Sequence, residues 1–270
     1  MNALKVLVSV TAGVLMASGA SAAITTLTDR NSVVRLDDSS QAGFFDWEVD
    51  GVDQLFQQWF WFRVGGAGQE SSLDTLPLTG YAAVDTNPFD DPGIDSVSLQ
   101  YTGASIRVTG TWTLRGGDNG SGLSDLSESL SLTNMTGAPI SVTFFQYTDF
   151  DLGNTVIDQY AQVVGVTNNT IQQQDIGFTF SETIITPSPD NFEVSVFPVL
   201  LNSLNDGAVT SLSGAAGPIG PGDLVWAVSW TVALGPNQTI NVVKDKSIVP
   251  TPGAVALIGV AGLAGLRRRR

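Results

Sequence analysis

The sequence predicts an all-β protein, an antiparallel β-sandwich or jelly-roll-like domain followed by one short hydrophobic helix at the C-terminus. Apolar and polar side chains alternate over residues 106–115, which is the pattern of a strand with one buried face. The same alternation recurs in residues 126–132, 140–144, 178–180, 192–196, 224–230 and 240–242. Clusters rich in Gly, Asn, Asp and Ser, such as residues 116–122, separate these segments as turns do. No segment shows a sustained 3.6-residue period, so we expect few helices.

The composition limits the chemistry that this fold can support. The chain has 270 residues, no histidine and no cysteine. Catalytic triads that use histidine or cysteine, structural zinc and haem are therefore excluded, and any metal would have oxygen ligands. Residues 23–247 contain seven basic and all 26 acidic residues, a formal charge of −19. Such a segment offers no basic patch to phosphate groups, so we expect no nucleic-acid partner.

The N-terminus has the three parts of a secretory signal peptide. Lys5 is followed by an apolar run of 11 residues and then by small residues only. Ala20 and Ala22 fit the cleavage motif, which predicts that signal peptidase removes residues 1–22 and leaves Ala23 as the new N-terminus. A permanent anchor is the alternative, but the run is short for a span of about 20 residues.

An acidic segment near the start of the passenger resembles the opening of a calcium loop. Asp46, Glu48 and Asp50 precede Gly51 at alternate positions. The last ligand position, however, holds Gln57 in place of glutamate. Asp-Gly between alternating segments is also a strong signal for a type I′ hairpin. We therefore predict a hairpin here, with Asp46 and Glu48 facing water.

Four consecutive aromatic residues follow at residues 59–62. In a strand, Trp59 and Trp61 share one face while Phe60 and Phe62 share the other. A displayed tryptophan pair would form a platform on which a sugar ring stacks. The commoner outcome is a strand buried on both faces, in which all four side chains belong to the core.

Two further acidic segments are candidates for calcium. The first lies in residues 65–95, the longest predicted surface excursion, and its oxygen-bearing side chains are those of Asp85, Asn87, Asp90, Asp91 and Asp95. Ca²⁺ takes about six to eight oxygen ligands, although Asn-Pro and Asp-Pro-Gly also form turns without an ion. The second follows a predicted strand and comprises Asp149, Asp151 and Asn154. No cofactor is required by either segment; ordinary turns are the expectation for both, and calcium is the ion that either could bind.

A proline motif, an uncharged apolar stretch and an arginine cluster end the chain. The motif residues are Pro250, Thr251, Pro252 and Gly253. Residues 254–266 predict a short helix of roughly 20 Å, which spans a hydrocarbon core of about 30 Å only where the bilayer thins locally. A C-terminal core helix with a basic tail is the alternative. The membrane stop, which we expect on the cytoplasmic side, is formed by Arg267, Arg268, Arg269 and Arg270.

With the signal peptide, this layout resembles the bacterial PEP-CTERM proteins, which are substrates of exosortase. The resemblance covers the end of the chain, the sorting signal at residues 248–270, and Thr251 replaces the glutamate that the family usually has between the two prolines. It implies export and transient anchoring in the inner membrane through residues 254–266. Cleavage near residues 250–253 by an exosortase-like enzyme would then deliver residues 23–247 to the cell surface or extracellular matrix of a Gram-negative bacterium.

For the passenger we expect a secreted, exosortase-sorted surface or matrix protein without catalytic activity. No catalytic pair can be assigned among 26 acidic residues. The alternative is a calcium-assisted module that binds extracellular polysaccharide through Trp59 or Trp61 and the loop at residues 85–95. A secreted glycosidase is a third hypothesis, because glycoside hydrolysis by two carboxylates needs no histidine.

Overall fold

Eighteen strands and very little helix make up residues 24–251, the part of the chain that the computed structural model describes. The strands of the first half are β1 (Ile24–Asp29), β2 (Ser32–Asp37), β3 (Gly43–Val49), β4 (Val52–Asp53), β5 (Leu55–Val64), β6 (Ser71–Ser72), β7 (Leu78–Val84), β8 (Ser96–Thr102) and β9 (Ile106–Gly116). Those of the second half are β10 (Ser124–Asn134), β11 (Ile140–Phe150), β12 (Gln159–Val164), β13 (Thr170–Gln174), β14 (Phe178–Thr186), β15 (Asn191–Val196), β16 (Ile219–Gly222), β17 (Leu224–Leu234) and β18 (Thr239–Pro250). The helical elements in this range are α1 (Val199–Asn205) and two 3-10 turns, Leu73–Thr75 and Leu152–Asn154.

The strands form two nine-stranded sheets around a common core. The first sheet has the order β1-β2-β3-β5-β11-β17-β15, with β4 paired to β3 and β6 paired to β5. The second has the order β16-β12-β13-β14-β18-β10-β9-β8-β7. Within residues 24–251 the pairings are antiparallel except that of β3 with β5. The predicted antiparallel sandwich is therefore confirmed in its class.

The alternation seen in the sequence becomes burial in the core between the sheets. On β9, Ile106, Val108, Trp112 and Leu114 are at most 1% exposed. The odd-numbered residues from Arg107 to Arg115 face outward. Gly110 belongs to the inward-facing set, and the indole of Trp112 fills the space that a side chain there would need. All six tryptophans of the chain are less than 2% exposed. Burying an aromatic side chain contributes roughly 1.5–3 kcal/mol, so these residues dominate the stability of the sandwich.

The hairpin predicted at Asp50 and Gly51 is confirmed. These two residues connect β3 to β4, with φ of 52° and 77°, and a type I′ turn requires positive φ at both positions. Asp46 and Glu48 do not simply face water as expected, because both pair with the guanidinium of Arg35 on the neighbouring β2. Cross-strand ion pairs on the outer face therefore replace the ion that the acidic pattern suggested.

The structure differs from the sequence prediction at residues 65–95 and at the C-terminal boundary of the passenger domain. Residues 65–95 carry β6, a 3-10 turn and the edge strand β7, so they are more regular than the predicted surface loop. Strand β18 continues to Pro250, past the predicted passenger boundary at residue 247. The predicted C-terminal helix at residues 254–266 lies outside the described residues. Among residues 24–251, no helix has the length and apolar character needed to cross a membrane.

Candidate metal centre

Three aspartates meet at one end of the first sheet. Asp149 is the penultimate residue of β11, Asp151 precedes the 3-10 turn after it, and Asp223 stands just before β17. Strands β11 and β17 are antiparallel neighbours with Asp149 opposite Val225, so the end of one strand lies beside the start of the other. As a result, carboxylate oxygens of the three aspartates lie within 4.8 Å of one another.

Asp149 is the buried member of this acidic cluster. Its side chain is part of a residue only 2% exposed, and its Oδ2 accepts a hydrogen bond of 3.2 Å from the Tyr147 hydroxyl. Its Oδ1 is buried without a hydrogen-bond partner. Leaving a buried carboxylate oxygen unpaired is costly, and buried polar atoms are seldom left so. A cation between the three aspartates would supply the missing partner.

The electrostatics of the cluster favour either a proton or a metal ion. Burial, and then the charges of Asp151 and Asp223, raise the pKa of Asp149 to about 8. Burial, together with Asp223 and Asp53, raises the pKa of Asp151 to about 6. Burial also raises the pKa of Asp223. Without a cation, Asp149 therefore keeps its proton at neutral pH, and a divalent ion that binds ionised carboxylates would displace that proton.

The ligand type points to a hard cation. Three carboxylates provide oxygen donors alone, which suit Ca²⁺ or Mg²⁺ far better than a soft transition metal. Asn154 is exposed, and its backbone N–H closes the turn by donating to the Asp151 carbonyl at 2.8 Å. Sequence reasoning missed Asp223 because it is far from Asp149 along the chain. Its place directly before the predicted strand at residues 224–230 was the available signal.

In the other calcium candidate, the loop at residues 85–95, the carboxylates of Asp85 and Asp95 hold the turns of the loop itself, although the Oδ1 of Asn87 is buried without a hydrogen-bond partner. The carboxylate of Asp85 accepts hydrogen bonds from the backbone N–H groups of Asn87 (3.0 Å) and Gly93 (3.2 Å). Asp95 is fully buried and accepts two hydrogen bonds from Thr86. These are the bonds of a turn that needs no ion.

Basic groups occupy the space that a cation would need near the same loop. Arg115 pairs with Asp95 at 2.5 Å, and the backbone N–H of Arg30 donates to Asp91. Asp90, Asp91 and Arg30 line a shallow surface cavity of about 410 Å³. The Arg115 guanidinium supplies positive charge at Asp95, while that of Arg30 pairs with Asp118, and the structure favours ordinary turns at residues 85–95.

The structure shows a strand buried on both faces, which is the commoner outcome expected from the sequence, and the tryptophan platform considered beside it is wrong. Trp59 and Trp61 are both 0% exposed. Their indole N–H groups donate to Asp74 at 3.0 Å and to Asn205 of α1 at 3.3 Å, on the outer face of the first sheet. Neither ring has a face available to a sugar.

A different aromatic pair is exposed beside the acidic cluster. Phe56 is 52% exposed and Phe197 is 38% exposed, and their rings meet edge to face with centroids 6.2 Å apart. The backbone N–H of Phe197 donates to the Asp223 carbonyl at 3.1 Å. Phe56 precedes Gln57, which pairs with Asp149 across β5 and β11. The backbone of Phe197 thus contacts Asp223, and Phe56 precedes the strand partner of Asp149.

Comparisons with known proteins bear on the fold. No protein-family model and no curated protein matches the sequence. A bacterial glucoamylase complexed with acarbose superposes with a TM-score of 0.58 at 10% identity, over 94% of this chain and 36% of the glucoamylase. A GalM/aldose epimerase homologue from C. elegans gives 0.50 at 9% identity, over 86% and 99% of the two chains. A copper-containing benzylamine oxidase from Hansenula polymorpha gives 0.50 at 6% identity, over 91% and 63%.

These similarities correct the prediction that the protein has no catalytic activity. That prediction rested on the missing histidine and cysteine, yet the matched structures are enzymes or homologues of enzymes. The chain spans about a third of the glucoamylase, and identities this low show the fold alone. The two-sheet fold of this chain is thus similar to folds in a glucoamylase, an aldose epimerase homologue and an amine oxidase.

Proposed function

We propose that this protein binds extracellular carbohydrate at the end of the first sheet, with Ca²⁺ held by Asp149, Asp151 and Asp223. The observation that carries the proposal is the buried, unpartnered Asp149 oxygen within a group of three carboxylates. The carbohydrate chemistry of the glucoamylase and of the aldose epimerase family supports a sugar as the ligand. The proposal keeps the calcium of the predicted carbohydrate module but moves its aromatic surface from Trp59 and Trp61 to Phe56 and Phe197.

The arrangement offers both kinds of contact that a sugar uses. Three carboxylates give a calcium ion about three to six of its six to eight oxygen ligands, which leaves positions for water or for sugar hydroxyls. The Phe56 and Phe197 rings offer an apolar surface to the C–H groups of a pyranose. Polar recognition through the ion and apolar contact through the rings would then act on one sugar unit.

A polysaccharide-binding assay tests this proposal. Soluble α-glucan and galactan would be titrated in calcium, in chelator and in sodium of matched ionic strength. We expect the protein to bind the polysaccharide in calcium but not in chelator or in sodium. Combining Phe56→Ala with Phe197→Ala should abolish this binding. Phe89→Ala is the matched control, because Phe89 is fully exposed in the loop at residues 85–95. Polysaccharide binding that is unchanged by the chelator and by the substitutions of Phe56 and Phe197 would contradict the proposal.

Glycoside cleavage is a second candidate, and one specific observation favours it. The raised pKa keeps Asp149 protonated at neutral pH, and a second carboxylate lies within 4.8 Å of it. Retaining glycosidases use such a pair, an acid and a nucleophile about 5–5.5 Å apart. Calcium and this proton compete for the same oxygens. Release of reducing sugar that calcium inhibits and that Asp149→Asn abolishes would select cleavage over calcium-dependent binding.

We also propose export and sorting as the PEP-CTERM resemblance implies, with signal peptidase, an exosortase-like enzyme and the inner membrane as the partners. Strand β1 begins at Ile24, directly after the predicted new N-terminus. At the other end, the Thr251 N–H donates to the Gly177 carbonyl at 2.9 Å. Removing residues 1–22 and the residues after Thr251 would therefore leave every described strand in place, which supports delivery of an intact sandwich to the cell surface.

A further inference from the structure

Between the two sheets lies a group of charged side chains that the proposed carbohydrate site does not use. Lys244 and Lys246 point inward from β18, Glu128 from β10 and Glu182 from β14, and all four are at most 1% exposed. Glu128 stands opposite Lys244 in the sheet, and Glu182 stands opposite Lys246. From the facing sheet, β11 adds the fully buried carboxamide of Gln146.

The Gln146 carboxamide is held at both of its polar ends. Its Oε1 is in contact with the Nζ of Lys244. Its Nε2 donates to both carboxylate oxygens of Glu182, at 2.9 and 3.2 Å, and to the Thr148 hydroxyl at 3.0 Å. Glu182 also lies 3.7 Å from the Lys244 Nζ, so a single carboxylate is close to both nitrogens. The amine, the amide and the acid are thus fixed relative to one another.

Burial favours the neutral, nucleophilic form of Lys244, while the carboxylates and aromatic rings around its Nζ favour the charged form. Its Nζ stands 5.1 Å from the centroid of the Phe60 ring and 5.8 Å from that of Trp230. Burial lowers the pKa of Lys244, although the nearby charge of Glu128 opposes this effect. Glu128 is in direct contact with the Lys244 Nζ and can accept its proton within this contact, although the charges of Lys244 and Lys246 lower the pKa of Glu128 against the effect of its burial and so oppose the transfer. Exclusion of water would protect the amide from competing hydrolysis.

We propose that Lys244 and Gln146 join in an intramolecular isopeptide bond, with Glu128 and Glu182 as the proton carriers. The Gln146 Cδ lies one C=O bond, about 1.23 Å, beyond the oxygen that Lys244 touches, so the attack requires Nζ to move from this oxygen to the face of the amide. Lys244 passes one proton to Glu128, and the Nζ–Cδ bond forms. Glu182 takes a second proton from Nζ and returns it to Nε2 as the Cδ–Nε2 bond breaks. Ammonia leaves, and no oxidant or cofactor is needed.

Such a bond would join β11 of the first sheet to β18 of the second across the core. The chain has no cysteine, so it has no disulfide to make this connection. Lys246 provides an internal comparison, because it is equally buried and contacts the same Glu128, whereas Lys244 is the lysine in contact with Gln146. The geometry therefore assigns the bond to one of two neighbouring lysines.

Mass spectrometry of the full 270-residue chain, denatured and digested, tests the proposal. We expect a branched peptide that joins Gln146 to Lys244 and weighs one ammonia less than its two parts. Lys244→Met and Gln146→Leu should each remove this peptide, while Lys246→Met should keep it. Glu182→Gln should slow its appearance after synthesis.

The wild-type digest decides the question even where a variant does not fold. Separate, unmodified peptides containing Gln146 and Lys244, recovered in full from the folded wild-type protein, would overturn the proposal. A link to Lys246 in place of Lys244 would overturn it as well. A loss of ammonia that maps only to unbranched peptides, with Gln146 and Lys244 unmodified, would overturn it too.

Discussion

Asp149 shows how one side chain can prepare a protein for a cation. Its raised pKa and its unpaired oxygen have the same origin, burial beside two other carboxylates. Calcium should therefore stabilise the fold by about RT ln(1 + [Ca²⁺]/Kd), roughly 2.7 kcal/mol at a hundredfold excess over Kd. At about 2–4 °C per kcal/mol, thermal melting should rise by several degrees in calcium relative to chelator.

The control must separate specific binding from screening of the net charge of −14. Sodium at matched ionic strength should reproduce only the screening part of the increase. Asp149→Asn combined with Asp151→Asn should abolish the calcium-specific part, while Asp90→Asn combined with Asp91→Asn should preserve it. Equal melting of the wild type in matched calcium and sodium would show that the acidic cluster binds no calcium.

The same side chain predicts a pH dependence in chelator. A carboxyl whose pKa is about 8 when folded and near 3.8 when unfolded binds more protons in the native state between these values. Its contribution to stability is therefore complete below about pH 4 and is lost as the pH rises to about 8. The loss should be on the order of a few kcal/mol, and Asp149→Asn should remove it. Melting of both proteins at pH 5 and pH 8 measures this, and parallel pH profiles would contradict it.

At the scale of elements, the close approach of β3 to β5 depends on a glycine. Gly43 has φ of +56°, and a Cβ there would lie 2.3 Å from the Trp59 ring and 2.5 Å from the Gln58 carbonyl oxygen. Gly43→Ala should combine backbone strain with overpacking and destabilise by about 2–4 kcal/mol. Gly51→Ala is the matched control, with φ of +77° but open space around its Cβ position, and should cost only about 1–2 kcal/mol. Denaturant unfolding of both variants measures the difference, and equal losses would mean that β3 does not depend on this contact.

The strands were predictable from local pattern, but the surroundings of their faces were not. Alternation places Glu128 on the inward face between Leu126 and Leu130, and the structure keeps it there. A charged residue on that face implied a buried partner, which is supplied by Lys244 and Lys246 from a strand far along the chain. In the same way, the run of aromatic residues at 59–62 is compatible with a strand but cannot show that Asn205 of α1 covers the outer face of β5.

The candidate site was also predictable only where its residues are close together in the sequence. Asp149 and Asp151 were found because they are close in sequence, while Asp223 joins them only through the pairing of β11 with β17. The aromatic surface was misplaced for the converse reason. A hydrophobic run such as that containing Trp59 and Trp61 is usually buried in the core. The exposed residues Phe56 and Phe197 belong to no recognisable motif in the sequence.

For the whole molecule, the final strand sets a limit on where the proposed C-terminal sorting signal could be cut. Ile248 is fully buried on β18, between Ser124 of β10 and Phe180 of β14. A chain that ends at residue 247 loses this side chain and the last pairings of β18. One that ends at Thr251 keeps both, together with the hydrogen bond from Thr251 to Gly177. We therefore expect the mature protein to end at or beyond Thr251.

Two chains that begin at Ala23, one ending at residue 247 and one at residue 251, test this limit. The shorter chain should be less stable by about 2–5 kcal/mol, the usual effect of deleting a buried isoleucine side chain, and denaturant unfolding measures the difference. Mass spectrometry of the protein released at the cell surface should in parallel find a terminus at or after Thr251 and no peptide from residues 254–270. Equal stability of the two chains would show that β18 sets no such limit. Recovery of residues 267–270 from released protein would show that the C-terminal segment is not removed. It would also show that four arginines had crossed the membrane, against the positive-inside rule.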